Sequence, residues 1–250
     1  MPQAARRLHD RRAELGAITL GDRMGMLSNF FRRDPPVGVF GDFPEPVDNP
    51  YEMDLDLAAR GIDSVKAGAE IGATTSVLLG GLLLKRWPAD VLDYGGGLGS
   101  VYFRMCRIVP DNIRSWHVVE LAAVCARGRQ LQDGTLRFST ELPARADVVL
   151  LAGVLQYLNH PYAAISEILG LRPHIVVLDR TPVGARARHM VQRTWPHLGG
   201  HTLPWNILDR DGVAACFADY DLMLEQTSPH PGPDASDESC VARIYRRRAP

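Results

Sequence analysis

The sequence predicts an α/β fold with a mostly parallel sheet covered by helices on both faces, and three observations predict it. From 89 onward, short apolar runs alternate with helical stretches, the signature of successive βα units. The runs Asp147-Val148-Val149-Leu150-Leu151-Ala152 and Ile175-Val176-Val177-Leu178-Asp179 are continuously apolar, as in strands buried on both faces. The run Val91-Leu92-Asp93-Tyr94-Gly95-Gly96-Gly97-Leu98-Gly99 reads as a strand that ends in an acid and then a glycine turn opening a helix.

The elements follow in order. Strands are expected at 91–94, 116–120, 136–138, 147–152 and 175–179. Between the first two, Val101, Tyr102, Met105, Cys106 and Val109 recur at helical spacing and give that helix an apolar stripe. Pro182 is expected to stop ladder pairing after the fifth strand. The tail reads as two more strands, 220–227 and 240–246, separated by Pro229, Pro231, Gly232 and Pro233. No helix fits between them, so they are expected to pair as an antiparallel hairpin and complete a seven-stranded sheet. Residues 1–85 differ in texture. Helices are expected at 6–20 and 53–84, flanking a loop at 34–51 whose prolines and glycines exclude both helix and central strand. The chain thus divides into an N-terminal helical and loop segment, 1–85, expected to cover the active-site cleft, and a ligand-binding domain, 86–250.

Composition narrows the function. With 28 Lys+Arg against 29 Asp+Glu and a formal net charge of −1, the chain has no bulk footprint for nucleic acid or an anionic membrane. The runs Arg6-Arg7, Arg11-Arg12 and Arg246-Arg247-Arg248 read as solvated termini. Cys106, Cys125, Cys216 and Cys240 are scattered without a CxxC pair, so no metal site is expected. Cys106 falls on the apolar helix face as an inert thiol, and this usage suits a reducing, cytoplasmic compartment. The longest apolar run, 73–84, is shorter than the roughly 20 residues a bilayer requires. No secretory signal pattern is visible.

The glycine turn carries the chemistry. Gly95, Gly97 and Gly99 remove Cβ atoms where the backbone must turn sharply and approach a ligand. Asp93 sits at the carboxyl end of its strand, where open α/β sheets bind ligands. Glu120 ends the second strand, with Leu121 beside it, and a carboxylate there can accept from both hydroxyls of a ribose. Asp93, Gly95, Gly96, Gly97, Gly99, Tyr102, Glu120 and Leu121 are therefore assigned to S-adenosyl-L-methionine (SAM), with Asp93 near the methionine ammonium. A nicotinamide site uses similar parts, but its G-x-G-x-x-G register would run Gly95, Gly97, Ser100. Asp93 would also repel a pyrophosphate, and SAM has none. The plainer alternatives are Asp93 as a helix cap and Glu120 as a solvated strand end.

The fourth strand leads into Gly153-Val154-Leu155-Gln156-Tyr157-Leu158, facing the same crevice. Gly153 and Gln156 are assigned to the cofactor, and Gln156 contacts either its methionine end or the acceptor. Tyr157 either contacts that end or the acceptor, or packs under the next helix. His160 starts that helix as a cap-region residue. In Asp179-Arg180-Thr181-Pro182, Asp179 can accept a proton from an acceptor, and the planar fork of Arg180 suits a substrate carboxylate or phosphate. A structural Asp179–Arg180 ion pair is the alternative.

Asp93-Tyr94-Gly95-Gly96-Gly97-Leu98-Gly99-Ser100 with Tyr102, Trp116-His117-Val118-Val119-Glu120, Leu155-Gln156-Tyr157-Leu158 and Asp179-Arg180-Thr181-Pro182 together resemble a bacterial family of SAM-dependent methyltransferases. Members are often encoded near surface-polysaccharide or specialised-metabolite genes. The resemblance runs from about 37 to 245 and implies a Rossmann-like class I methyltransferase fold. It also implies a glutamine near Gln192 and a Tyr-Pro-x-Trp-like segment. The latter stands here as Leu203-Pro204-Trp205, without the tyrosine and with His201 two residues earlier. His201 is the side chain best suited in type to act as a base at neutral pH. The expected activity is SAM-dependent methyl transfer to O or N of a small-molecule acceptor, a specialised metabolite or saccharide intermediate. His201, Asp179, Tyr157, Arg180 and Gln192 are the acceptor-side candidates, and residues 186–205 are expected to close over the crevice with the N-terminal segment. Nucleic-acid methylation lacks its Asn-Pro-Pro-Tyr-like segment. A non-catalytic SAM-binding subunit and, more remotely, a nicotinamide-dependent oxidoreductase are the other classes.

Overall fold

The computed structural model describes residues 38–41, 88–194, 202–229 and 237–249, with backbone alone at 38–41, 194, 228 and 229. In chain order the elements are β1 (Gly38–Gly41), β2 (Ala89–Tyr94), α1 (Ser100–Ile108), β3 (Ile113–Val119), α2 (Ala122–Gly128), β4 (Leu136–Ser139), β5 (Val148–Ala152), α3 (Pro161–Gly170), β6 (Ile175–Gly184), β7 (Arg188–Thr194), β8 (Thr202–Asp209), α4 (Arg210–Cys216), β9 (Tyr220–Pro229) and β10 (Ser239–Arg247). The helices expected at 6–20 and 53–84 lie outside the described residues.

Seven strands form the central sheet in the order β4-β3-β2-β5-β6-β10-β9. Every neighbouring pair from β4 to β6 is parallel. β10 is antiparallel to both β6 and β9, so it alone is reversed. The tail hairpin therefore forms as its Pro- and Gly-rich connection requires.

Strand alternation explains the apolar runs. Val91, Val148, Leu150, Ile175 and Val177 join α1 residues Val101, Tyr102, Met105 and Cys106 in one core. Leu92, Val149, Leu151, Val176 and Leu178 face the other way and pack on Ile165 and Ile168 of α3 and Val213 of α4. Each such aliphatic side chain contributes about 1.5–3 kcal/mol when buried, and helices on both faces let successive residues bury.

Three further strands add to β6. Pro182 does not end its ladder: the strand continues to Gly184, and Pro182 pairs with Cys240 of β10. The other edge of β6 is held by β5 up to Asp179 and by β8 from Val183. Pro182 sits in the gap between them, where a missing N–H is tolerated. β8 thus continues the sheet just past the carboxyl end of β5, followed by antiparallel β7 and β1. The segment expected to close over the crevice is this β7–β8 hairpin. A strand from the proline-rich loop seals its outer edge, in keeping with the exclusion of a central strand there.

Candidate cofactor and acceptor site

The turn after β2 is built for close approach. Gly95, Gly97 and Gly99 all have positive φ, at 69°, 55° and 75°. A Cβ on Gly96 would sit 2.5 Å from Asp93 Oδ2, so that glycine is what lets the carboxylate fold back over the turn. A Cβ on Gly97 would meet nothing within 4 Å among the described residues, so these leave the turn's outer surface uncovered. Gly99, not Asp93, is the N-cap of α1 and makes no side-chain cap bond, and the Asp93 carboxylate accepts from Trp116 instead, which removes its helix-cap reading.

Asp93 is 1% exposed. Its Oδ2 accepts Trp116 Nε1–H at 3.1 Å. Burial pushes its carboxyl up to about 7, aided by Glu120, while Trp116 and Arg180 pull it down. The alternation of parallel strands brings Trp116 there: Val118 is the register partner of Asp93, and Trp116 shares its face.

Glu120 is not a solvated strand end. Its Oε1 accepts Gly97 N–H at 3.1 Å and its Oε2 accepts Leu121 N–H at 2.8 Å. Burial raises its carboxyl and those two donors lower it. Each oxygen retains acceptor capacity, since an ionised carboxylate offers about four lone-pair sites. Tyr102, by contrast, is core: its ring packs on Phe103 and Trp116, and its hydroxyl donates to Asp133 Oδ2 at 2.9 Å.

The loop after β5 brings the second group together. Gly153 has φ of 67° and donates to Asp179 O at 2.8 Å. Gln156 and Gln192 are buried. Tyr157 donates to Gln192 Oε1 at 3.2 Å and stacks edge-on against Trp205. Asn206, which sequence reasoning missed, donates from Nδ2 to the main-chain oxygens of Gln156 and Leu158, at 3.2 and 2.7 Å, tying loop to hairpin. Its Oδ1 faces His189 Nδ1 at 2.8 Å. The start of α3 and the hairpin border an open cleft of about 530 Å³ lined by His160, His189 and Asn206 among others. His160 is the N-cap residue of α3 but makes no side-chain cap bond.

At the end of β6 the register with β10 shifts between Val241 and Arg243, so two residues oppose one. This bulge re-aims Asp179 and Arg180, and Arg180 takes φ of 49°. Its Nε lies 3.5 Å from Asp179 Oδ2 and its Nη2 donates to Ala152 O at 3.1 Å. The ion-pair alternative for these two is what the geometry shows. His201 lies outside the described residues.

No family model and no curated protein matches the chain. Solved structures do. The magnesium protoporphyrin IX methyltransferase ChlM of Synechocystis PCC 6803, with bound SAM, superposes with a TM-score of 0.52 at 13% identity, over 82% of this chain and 100% of that one. The [4+2]-cyclase SpnF gives 0.51 at 17%, over 85% and 100%. The 1,6-didemethyltoxoflavin-N1-methyltransferase of Burkholderia thailandensis, with its substrate and S-adenosylhomocysteine (SAH), gives 0.50 at 19%, over 84% and 95%. The fold is that of the class I methyltransferases. In that fold the glycine turn, Asp93 and Glu120 lie together at the carboxyl ends of β2 and β3, and the Gln156–Tyr157 loop lies at the carboxyl end of the adjacent β5.

Proposed function

We propose that the chain is a SAM-dependent methyltransferase acting at O or N of a small-molecule acceptor, a specialised metabolite or saccharide intermediate. The observation that carries this reading is a pair of carboxylates, Asp93 and Glu120, around a glycine turn whose outer face no described residue covers. The donor set suits a phosphate-free, cationic nucleoside. Glu120 retains acceptor sites for two ribose hydroxyls, and the buried Asp93 gains a counter-charge from a ligand cation. Gln156 Oε1 is buried without a partner among the described residues, and in this reading it accepts from the methionine ammonium. When bound, the cofactor supplies a methyl group on a cationic sulfur.

The chain's own contribution is chiefly alignment for in-line displacement, and positioning of this kind is worth roughly 7–11 kcal/mol. A base is needed only when the attacking atom must lose a proton; Asp179 and His201 are the candidates. The β7–β8 hairpin, with residues 1–85 anchored to it through β1, forms the cover that selects the acceptor. Residues 86–250 are the catalytic unit. A cytoplasmic site of action follows from the cysteine usage, and no described helix is long and apolar enough to cross a membrane.

Calorimetry with SAM and SAH tests the cofactor half. Glu120→Ala removes two charge-assisted bonds, and affinity is expected to fall about a hundredfold. Unchanged affinity defeats the assignment. SAH accumulation with candidate acceptors tests turnover. The cyclase name carried by one structural neighbour favours keeping a second reading, a SAM-fold protein that binds the cofactor without transferring its methyl group. Tight SAM binding with no SAH from any acceptor distinguishes it.

A further inference from the structure

Gln192 is 0% exposed, yet its Nε2 has no partner among the described residues. Its strand is fixed on both sides, paired with Leu203 in β8 and with Phe40 in β1. Its Oε1 receives the Tyr157 hydroxyl, which turns Nε2 away from that ring. Flipping the amide would leave the oxygen bare instead, so one polar atom stays unmatched in either orientation. Leaving a buried amide donor unmade costs about 1–3 kcal/mol. The neighbourhood is otherwise apolar, with Tyr157, Met190, Trp205 and Ile207 in one cluster. A leucine would fill such a position without that cost. Arg180 of β6, about half exposed, is engaged by Asp179 and Ala152 O.

We propose that Gln192 is a specificity-determining hydrogen-bond donor for the methyl acceptor, and that the acceptor presents a neutral carbonyl or hydroxyl oxygen to it beside Tyr157 and Trp205. This rests on the methyltransferase reading and deepens it. A neutral amide N–H recovers its own lost bond by meeting such an oxygen. It does not offset the desolvation of a carboxylate or phosphate, which needs a paired cation. The acceptor class is therefore a neutral hydroxylated or carbonyl-bearing ring rather than an anionic one.

The test uses the full chain labelled with ¹⁵N, with the Gln192 side-chain amide resonance assigned by its disappearance in Gln192→Glu. That variant keeps the oxygen that Tyr157 needs. The probes are methyl glucoside against glucuronate, and hydroxyacetophenone against hydroxybenzoate, each at millimolar concentration. The neutral member of at least one pair is expected to shift the resonance and to bind about tenfold more weakly to Gln192→Glu, with SAM affinity unchanged. Three results overturn the proposal: no shift with either neutral probe, preference for the anionic members, or equal binding by the variant. A more stable Gln192→Leu that binds the probes normally also overturns it, because the amide then serves only a buried water. If SAM fails to bind the wild-type chain while the neutral probes still move Gln192, the methyltransferase reading falls and the donor assignment stands.

Discussion

Trp116 Nε1 donates to Asp93 Oδ2 across 3.1 Å, from one strand of the sheet to the next. The indole holds the carboxylate over the glycine turn, but a single donor does not offset full burial. The carboxyl therefore sits at about 7, where a cationic ligand decides its charge.

Affinity for SAM is accordingly expected to depend on pH. Below about 7 the proton on Asp93 must leave before the cation is bound, so affinity falls roughly tenfold per unit of acidification. Calorimetry at pH 6 in buffers of different ionisation enthalpy should register a proton released on binding. A flat profile between pH 5.5 and 8 rules this out.

Stability carries the opposite sign. A carboxyl raised on folding contributes stability that is complete below the unfolded value near 4 and is lost as pH rises through about 7. Asp93→Asn removes that loss. Its Tm is expected to exceed the wild type's at pH 8, and the gap should narrow as pH falls below 7 and close only near pH 4, while SAM binding is lost throughout.

Removing the donor should move the same titration. Trp116→Phe deletes the N–H and part of a fully buried ring, at a cost of about 1–3 kcal/mol in denaturant unfolding. The pH midpoint for SAM binding should shift above 7. An unmoved midpoint with the expected loss of stability would mean that the indole only packs.

The two inner glycines should fail differently. Gly96→Ala drives a methyl group into the Asp93 carboxylate, where overpacking costs about 1–3 kcal/mol. Gly97→Ala has room, and only its φ of 55° is penalised, by about 1–2 kcal/mol. Both should lose SAM affinity, Gly96→Ala by displacing Asp93 and Gly97→Ala by occupying ligand space. Thermal unfolding with and without SAH separates the two.

Asn206→Ala cuts both bonds between the hairpin and the loop carrying Gln156 and Tyr157. A loss of about 1–3 kcal/mol in stability is expected. A raised acceptor KM with near-normal SAM affinity should accompany it in steady-state assays.

The central sheet was legible because its strands bury both faces, so Val148–Ala152 and the start of β6 announce themselves as unbroken apolar runs. The glycine turn and its two acids were legible for the same local reason. The β7–β8 hairpin was not. Its buried positions include Gln192, and Pro204 stands inside β8, so apolar alternation fails there. The strand survives Pro204 because β8 meets β6 only at Leu208 and Asp209, leaving one edge open before them. Trp116 was visible only as a strand residue. The signal for its role was the need of a buried indole for an acceptor, with Asp93 on the same face of the neighbouring strand. The Asp179–Arg180 contact depends on a bulge, which leaves no mark in composition.

The pairing of Gly38–Gly41 with Val191–Thr194 also bears on biosynthesis. The early strand leaves the ribosome long before its mate exists, and its closing contact spans most of the chain. Assembly of this corner is therefore a late event in folding, and until then the hairpin edge beside Gln192 is open to mispairing with other nascent chains.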